Sequence, residues 1–578
     1  MRERMVECLA RMSLSRVEGA DTVRSPIGGG AKWGWRQMGV APNGGGAKWG
    51  WRMSETVAPS GVGERRWRRL LDRIERVGDA LPDPVFIFLG CIALLMAGSA
   101  VAAALGWSAI NPVTGETLRA ESLLSRENLA KLLVDMPETM TKFPPLGLVL
   151  VVMLGAAVAE RSGLFGALLG DAIRKLPKAI LSPAVFVIGV MSHHAADAAY
   201  VVLIPMAALI YAEAGRHPLA GVAVAYAGIS GAFAGNIIPG QFDVLILGIT
   251  APAAQLIDPS FVMNPLGNWW FTLAIGTLFT PIAWWVTDRV VEPRLGPWTR
   301  EDTATAAPDL VLEEIGAAQR RGLRRAGIAA LVVIGLFAAL TLWPGAPLVD
   351  AEAVGPSRMT PFYQSLIAAF MLLFLASGWA YGAATGSVKS HRDIVAMMSE
   401  GMRGMAPYLV LAFFAAHFVA MFAWSKMGPV MAVHGAEALK GVGLPKPLLL
   451  IALLTMSSFM DLVIGSASAK WSAMAPIVVP MLMLLGISPE MTTAAYRMGD
   501  SIFNIVTPLA SNFPLVLIIS QKWRPRFGVG SMVALMLPYT IGFAIAGMSL
   551  VLAWVGLGLP VGPGAPGVYA PPVAASAP

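Results

Sequence analysis

Long apolar stretches dominate the chain and determine its predicted architecture. A transmembrane helix needs about 20 consecutive apolar residues. Nine stretches meet that length with few charged residues, and polar connections separate them. The pattern therefore predicts nine transmembrane helices, at about 84–107, 144–164, 217–236, 268–288, 326–344, 361–382, 406–425, 488–511 and 528–557.

Two further apolar stretches, 178–211 and 446–485, are long but are interrupted near the middle by small, polar and charged residues. Each is too long for one helix, and non-helical backbone at membrane depth is tolerated only inside protein or beside a water-filled cavity. We expect two re-entrant helical hairpins, and so an all-α polytopic fold of nine spans plus two hairpins. Ordinary buried turns are the alternative.

The two hairpins resemble each other. Each is followed by a span with an Asn-Ile motif and a proline, at 236–239 after the first hairpin and at 504–508 after the second. One hairpin enters from each side in the predicted topology, so the repeats are inverted. Interrupted segments at matching places in two halves point to the binding site of a secondary transporter.

The distribution of Lys and Arg predicts the orientation. Residues 65–69 contain four Arg and residues 289–325 contain seven, whereas the connection 237–267 contains no Lys or Arg. Positive charge favours the cytoplasmic side. We expect a multi-pass protein of the bacterial inner membrane with a cytoplasmic N-terminus and a periplasmic C-terminus, although Lys426, Lys440 and Lys446 lie on the outer side.

The composition excludes a soluble enzyme. Hydrophobic residues make up 56% of the 578 residues and charged residues 14%, against about 25% charged in soluble domains. The mean hydropathy is +0.64. The net charge is +7, but the basic residues are not gathered on one domain, so no nucleic-acid partner is expected.

The two ends of the chain differ from the rest. Residues 28–36 recur unchanged at 44–52, directly before Met53. We interpret 1–52 as a mis-assigned or disordered leader, with translation beginning at Met53. The leader holds nine basic and four acidic residues, so 53–578 carry only +2. Residues 53–83 are then a cytoplasmic basic segment, and 558–578, rich in Pro, Gly and Ala, an unstructured tail.

Five ionisable residues lie within apolar surroundings: Asp197, Asp461, Lys470, Arg497 and Asp500. Each would cost about 2.5–3.5 kcal/mol at the centre of a lipid-facing helix, so they must face one another or water. Helical spacing places Arg497, Asp500 and Asn504 on one face, which we expect to line a cavity. The structural alternatives are an Arg497–Asp500 salt bridge and an Asp461–Lys470 pair across the second hairpin.

The break of the second hairpin has the features of an anion site. Residues 465–468 are small, and exposed backbone N–H groups at a helix start favour a carboxylate. Trp471 offers a ring on which an aromatic substrate could stack, although packing is the usual role of an indole. An anionic aromatic substrate is therefore expected.

Enzymatic interpretations are weak. Ser192, His193 and Asp197 are the residue types of a nucleophilic triad, but they lie too close in sequence for one helix to present them as a relay. The sequence contains no metalloprotease motif, P-loop or Cys/His metal cluster. No cofactor is expected. Coupling must then come from a gradient of H⁺ or Na⁺, bound by carboxylates such as Asp197 and Asp500.

Two stretches carry a resemblance, Ser192–Gly221 and Gly465–Pro508, the second reading GSASAKWSAMAPIVVPMLMLLGISPEMTTAAYRMGDSIFNIVTP. Both closely resemble the AbgT family, the bacterial p-aminobenzoyl-glutamate transporters, and the resemblance extends from about Met53 to Leu557. It implies a homodimer of nine-span subunits with two opposed hairpins. It also implies a pathway lined by Asp197, Ser468, Trp471, Pro489 and Arg497, with Asp500 one turn beyond.

The resemblance implies gradient-driven transport of p-aminobenzoyl-glutamate or related aromatic carboxylates. Proton-driven efflux of p-aminobenzoate and sulfonamides is the first alternative, and a membrane hydrolase of folate fragments is the second. The family pattern has Asn where this chain has Asp461, which adds a negative charge. This departure leaves the coupling ion and its stoichiometry open. The candidate coupling-ion residues are Asp197, Asp461, Asp500 and Asn504, and Asp461 and Asp500 are the candidates for a sodium site.

Overall fold

A computed structural model describes residues 84–174, 177, 180–192, 197–298, 316–353, 358–461, 464–508, 510 and 512–570. The leader, the basic segment 53–83 and the last eight residues lie outside this part. The described chain is helical, as predicted, apart from one pair of short antiparallel strands, β1 (Ser108–Ile110) and β2 (Thr117–Arg119).

The described residues form 21 α-helices. They are α1 Pro84–Ala104, α2 Arg126–Val134, α3 Met136–Thr141, α4 Pro144–Arg161, α5 Leu164–Arg174, α6 Leu181–Met191, α7 Asp197–Glu213, α8 Pro218–Tyr226, α9 Gln241–Gln255, α10 Trp269–Val286, α11 Glu292–Leu295, α12 Ala317–Leu342, α13 Thr360–Thr385, α14 His391–Gly404, α15 Ala406–Trp424, α16 Met427–Val442, α17 Lys446–Met460, α18 Ala467–Met483, α19 Pro489–Phe503, α20 Phe513–Trp523 and α21 Val529–Gly556. Two π-helical turns extend α8 and α10, at Ala227–Gly231 and Thr287–Val291.

Six helices of the described part are long and apolar enough to cross a membrane, or up to eight if each of two bent pairs counts as one span. The six are α1, α10, α12, α13, α15 and α21, all at predicted positions. One bent pair, α4 with α5, turns by 63° at the predicted span 144–164.

The two remaining predicted spans are shorter than expected. The helix at 217–236 ends at Gly231 and that at 488–511 ends at Phe503. At 1.5 Å per residue they are about 21 and 23 Å long, less than the roughly 30 Å hydrocarbon core. Both stop ahead of the Asn-Ile and proline motifs, where the chain leaves the helix.

Both interrupted stretches are broken helix pairs. Helix α6 ends at Met191 and α7 begins at Asp197, while α17 ends at Met460 and α18 begins at Ala467. Each pair is followed by a short helix, a break, a second short helix and a long proline-containing helix. The predicted internal duplication therefore appears in the order of the elements.

A short helix from each half of the internal duplication packs against the broken pair of the other half. Helix α9, which lies in the stretch 237–267 that we had predicted to be a connection, packs against α18 of the second broken pair. Helix α20, also not predicted, packs against α7 of the first pair. Each broken pair is therefore covered by a helix from the other half.

Helices α17 and α19 approach very closely through small residues. A Cβ atom on Gly499 would lie 2.2 Å from the Leu454 carbonyl oxygen. Ser457 and Ser458 of α17 donate hydrogen bonds to the Tyr496 and Gly499 carbonyl oxygens, at 3.1 and 2.8 Å. This contact fixes the broken pair against the helix that carries Arg497 and Asp500.

The prediction of an unstructured tail is wrong for residues 558–570. Val561 and Tyr569 are buried, and the Tyr569 hydroxyl donates to Asp258 at 2.9 Å. The Phe271 N–H donates to the Val561 carbonyl, and Val568 forms a bridge with Ile487. Apolar and aromatic side chains among the Pro and Gly residues hold this segment against the protein.

Candidate functional site

The break of the second pair has the predicted small-residue tip. Ser466 is the N-cap of α18, and its hydroxyl accepts a hydrogen bond from the Ala469 N–H at 3.4 Å. The Ser468 hydroxyl lies 3.4 Å from that of Ser466. Both serines are half-buried and Gly465 is exposed, so the start of α18 is accessible.

Lys470 is shared by two carboxylates. Its ammonium forms an ion pair with Oδ1 of Asp461 and lies 2.6 Å from Oδ1 of Asp500. All three side chains are at most 4% exposed. The Asp461–Lys470 pairing that we considered is present. The other alternative, an Arg497–Asp500 salt bridge, is not present among the described residues, because Asp500 pairs with Lys470.

Arg497 has a partner that the sequence did not indicate. Its Nη1 donates to Oδ1 of Asp243 in α9 at 2.6 Å, and both side chains are buried. Oδ2 of Asp243 accepts hydrogen bonds from Asn236 Nδ2 and the Gly240 N–H, at 2.8 and 2.7 Å. The break after α8 therefore orients the carboxylate that orients Arg497.

Two nitrogen atoms of the Arg497 guanidinium remain available as donors. Nε and Nη2 are buried and have no hydrogen-bond partner among the described residues. The guanidinium carbon lies 5.1 Å from the centre of the Phe242 ring, within the range of a cation–π contact. A buried donor without a partner is costly, and a guanidinium fork matches the geometry of a carboxylate.

Trp471 is fully buried in this conformation. Its Nε1 donates to the Thr250 hydroxyl at 2.8 Å. One face of the ring stacks on Tyr496, with centroids 4.3 Å apart and an angle of 24° between the planes. Protein groups therefore occupy both the indole N–H and one ring face of Trp471.

The three residues expected on one face of α19 face three different elements. Arg497 meets α9, Asp500 meets α18, and Asn504 donates to the Ser230 carbonyl of the first π-helical turn at 3.4 Å. Pro489 occupies the first position of α19, where its fixed φ suits a helix start. Arg497 lies eight positions further along the helix, about 12 Å along the axis, so Pro489 is not adjacent to Arg497 or Asp500.

The polar residues of the first pair lie mostly outside the described part. Helix α7 begins at Asp197, but the side chain of Asp197 and the residues His193 and His194 are not described. The Ser192 hydroxyl donates to the Gly189 carbonyl at 2.6 Å. The roles predicted for Asp197 and for the alternative triad therefore stay predictions.

Sequence reasoning missed Asp243, Thr250 and Tyr496. The signal for Asp243 was present, since it is the one charged residue in the apolar run 242–255. The described residues contain no group of three or more His, Cys, Asp or Glu suited to a metal ion. Asp461 and Asp500, the residues predicted for a sodium site, share the Lys470 ammonium.

The chain matches the model of the AbgT putative transporter family over residues 69–569. It is 36% identical over 498 residues to the p-aminobenzoyl-glutamate transport protein of Escherichia coli (strain K12), which covers 86% of this chain and 96% of that protein.

Two solved structures are similar in fold and sequence. The YdaH transporter of Alcanivorax borkumensis, described as having an unusual topology, is 38% identical, with a TM-score of 0.76, and the match covers 83% of this chain and 100% of that one. MtrF of Neisseria gonorrhoeae, described as illuminating a class of antimetabolite efflux pumps, is 40% identical, with a TM-score of 0.79, and the match covers 86% of this chain and 100% of that one.

Proposed function

Because this chain belongs to the AbgT putative transporter family, we propose that it carries p-aminobenzoyl-glutamate or related aromatic carboxylates across the bacterial inner membrane. Transport is driven by an ion gradient and occurs without chemical change of the substrate. The subunit works as a homodimer, with its N-terminus in the cytoplasm. The two broken pairs act as opposed re-entrant hairpins that expose a midplane site to each side in turn.

The observation that carries this proposal is the incomplete hydrogen bonding of the buried Arg497 guanidinium. Its guanidinium is buried, only Nη1 has a partner, and Nε and Nη2 have none among the described residues. A substrate carboxylate accepting from these two N–H groups would remove the cost of two unpaired buried donors. Asp243 holds the guanidinium in place while it does so.

The other predicted residues complete the site. Ser468 and the N–H groups at the start of α18 contact the same carboxylate or a second one. Trp471 receives the aminobenzoyl ring once the hairpin opens, and Pro489 fixes the start of α19. Asp197 carries a coupling proton, and Asp461, Asp500 and Asn504 lie at the site of a coupling Na⁺.

The test is flux of labelled p-aminobenzoyl-glutamate in proteoliposomes with imposed pH or Na⁺ gradients. Charge-assisted hydrogen bonds contribute about 1.5–3 kcal/mol, so Arg497→Ala should reduce flux by roughly tenfold or more. Arg497→Lys should recover part of it, since lysine keeps the charge but not the fork. Arg403→Ala, at an exposed arginine of α14, is the control and should transport normally.

A second candidate is efflux of p-aminobenzoate and sulfonamides, favoured by the 40% identity to MtrF. It predicts that cells producing the protein tolerate sulfonamides better and lose this tolerance with an uncoupler. A folate-fragment hydrolase would instead release glutamate from p-aminobenzoyl-glutamate in detergent without any gradient. No flux of either substrate class in proteoliposomes would refute both transport proposals.

A further inference from the structure

Lys470 is placed to balance the charge of two carboxylates from different elements. Asp461 directly follows α17 and Asp500 lies in α19, while Lys470 projects from α18 between them. Its ammonium is paired with Oδ1 of both. We call these three residues the lysine cluster. All three are buried, so bulk water does not screen their charges.

The lysine cluster carries one uncompensated negative charge. Its two carboxylates face one ammonium, and the nearby Arg497–Asp243 pair is neutral by itself. The Tyr496 hydroxyl, 3.5 Å from Oδ1 of Asp500, adds no charge. Oδ2 of Asp461 is buried and has no hydrogen-bond partner among the described residues. An unpaired buried charge is strongly unfavourable, so the cluster requires one further positive charge.

We propose that Lys470 limits the lysine cluster to a single bound Na⁺. The inference rests on the cation site of the proposed function. Through its ion pairs with Asp461 and Asp500, Lys470 neutralises the charge of one of the two carboxylates. The remaining negative charge, with Oδ2 of Asp461 available as a ligand, then accommodates a single Na⁺, an ion that binds to oxygen ligands such as carboxylates. Without Lys470 the same two carboxylates would hold two cations.

A purely structural role of Lys470 predicts a different result for these variants. If the ammonium only fixed the shape of the hairpin, every change in the lysine cluster would weaken the fold and none would compensate another. If Lys470 sets the charge, a second substitution that restores the net charge should restore cation binding, although it removes another ion pair. The two roles are therefore distinguished by a double variant.

The experiment is binding of ²²Na⁺ to the purified full-length protein at fixed pH, without organic substrate. The wild type should bind one Na⁺ per subunit. Asp461→Asn makes the cluster neutral and should weaken binding by roughly tenfold or more, since the ion then enters a site without net charge. Asp461→Asn with Lys470→Met restores the single negative charge and should bring the affinity back to within a few fold of wild type.

Two further variants complete the series. Lys470→Met alone should bind two Na⁺ per subunit. Glu138→Gln with Lys142→Met removes an exposed ion pair of the same residue types and should leave Na⁺ binding unchanged. If the Asp461 double variant does not fold, Asp500→Asn with Lys470→Met has the same net charge and replaces it.

Three results would overturn the inference: a wild type that binds no Na⁺, an Asp461→Asn variant that binds as tightly as wild type, or a folded double variant as weak as the single one. Flux of p-aminobenzoyl-glutamate is measured on the same preparations. If flux is normal but any of these three results is found, only the proposed role of Lys470 is refuted. If flux is absent but Na⁺ binding follows the expected pattern, the proposed substrate is refuted and the inference of one Na⁺ per lysine cluster stands.

Discussion

Arg497 and Asp243 form a buried ion pair across 254 positions of sequence, with Nη1 and Oδ1 2.6 Å apart. The pair joins α19 of the second half to α9 of the first. It therefore ties the residue proposed to hold the substrate to the break that follows α8. The orientation of Arg497 depends on both halves of the chain at once.

The two partners of this pair should differ in how their removal affects the increase in melting temperature on substrate binding. Breaking a buried pair costs about 3–5 kcal/mol, so Asp243→Asn and Arg497→Ala should both lower the melting temperature in detergent. Asp243→Asn leaves the guanidinium free for a carboxylate, and p-aminobenzoyl-glutamate should still raise its melting temperature. Arg497→Ala should show no such increase. Equal responses of the two variants would contradict the assigned roles.

The hydrogen bond between Trp471 and Thr250 should contribute measurably to stability. Thr250→Val removes the acceptor of a buried indole N–H, which costs about 1–3 kcal/mol. The variant should unfold at lower denaturant concentration than wild type. Thr277→Val, at an exposed threonine of α10 that donates only to its own helix, is the control. Similar losses in both variants would show that the Trp471 bond contributes nothing specific.

The close approach of α17 and α19 should not tolerate a methyl group. Gly499→Ala would place a Cβ 2.2 Å from the Leu454 carbonyl oxygen, and overpacking costs about 1–3 kcal/mol or more. We expect a low yield of folded protein by size-exclusion chromatography. Gly98→Ala in α1, where no atom lies within 4 Å of the added Cβ, should behave as wild type. Normal stability of Gly499→Ala would show that the two helices can separate.

Tyr569 should make stability fall at alkaline pH. Burial, and then the hydrogen bond to Asp258, raise the pKa of Tyr569 above its ordinary value of 10. The folded protein thus keeps this proton at pH values where the unfolded chain loses it, so stability is lost as the pH rises above 10. Tyr569→Phe should lose stability at neutral pH and show a smaller decrease between pH 9 and 11. Tyr363→Phe in α13 is the control, and an unchanged pH dependence in Tyr569→Phe would refute this account.

Much of the fold could be predicted because hydrophobic length and polar interruptions are local properties. The breaks at 192–196 and 461–466 follow directly from polar residues inside apolar stretches. Helical spacing predicted one polar face of α19 with Arg497, Asp500 and Asn504, but the three residues meet three different elements. Spacing within a helix does not reveal which neighbour that face meets, so Lys470 and Asp243 could not be assigned as partners.

Two errors had different physical causes. Residues 237–267 lack Lys and Arg and were predicted to be a connection, but they contain α9, an apolar helix that at 15 residues is shorter than a membrane span. Residues 558–570 are rich in Pro and Gly and were predicted to be unstructured, but Val561 and Tyr569 are buried. Their burial by distant parts of the chain is not visible in a window of sequence.

The exchange of short helices has a consequence for biogenesis. Helix α7 acquires its cover, α20, only after about 300 further residues have been synthesised. At about 5–20 residues per second this takes roughly 15 to 60 s. During that interval α7 lacks the neighbour that packs against it in the complete protein. We therefore expect the first half, expressed alone, to be recognised and degraded as an orphan.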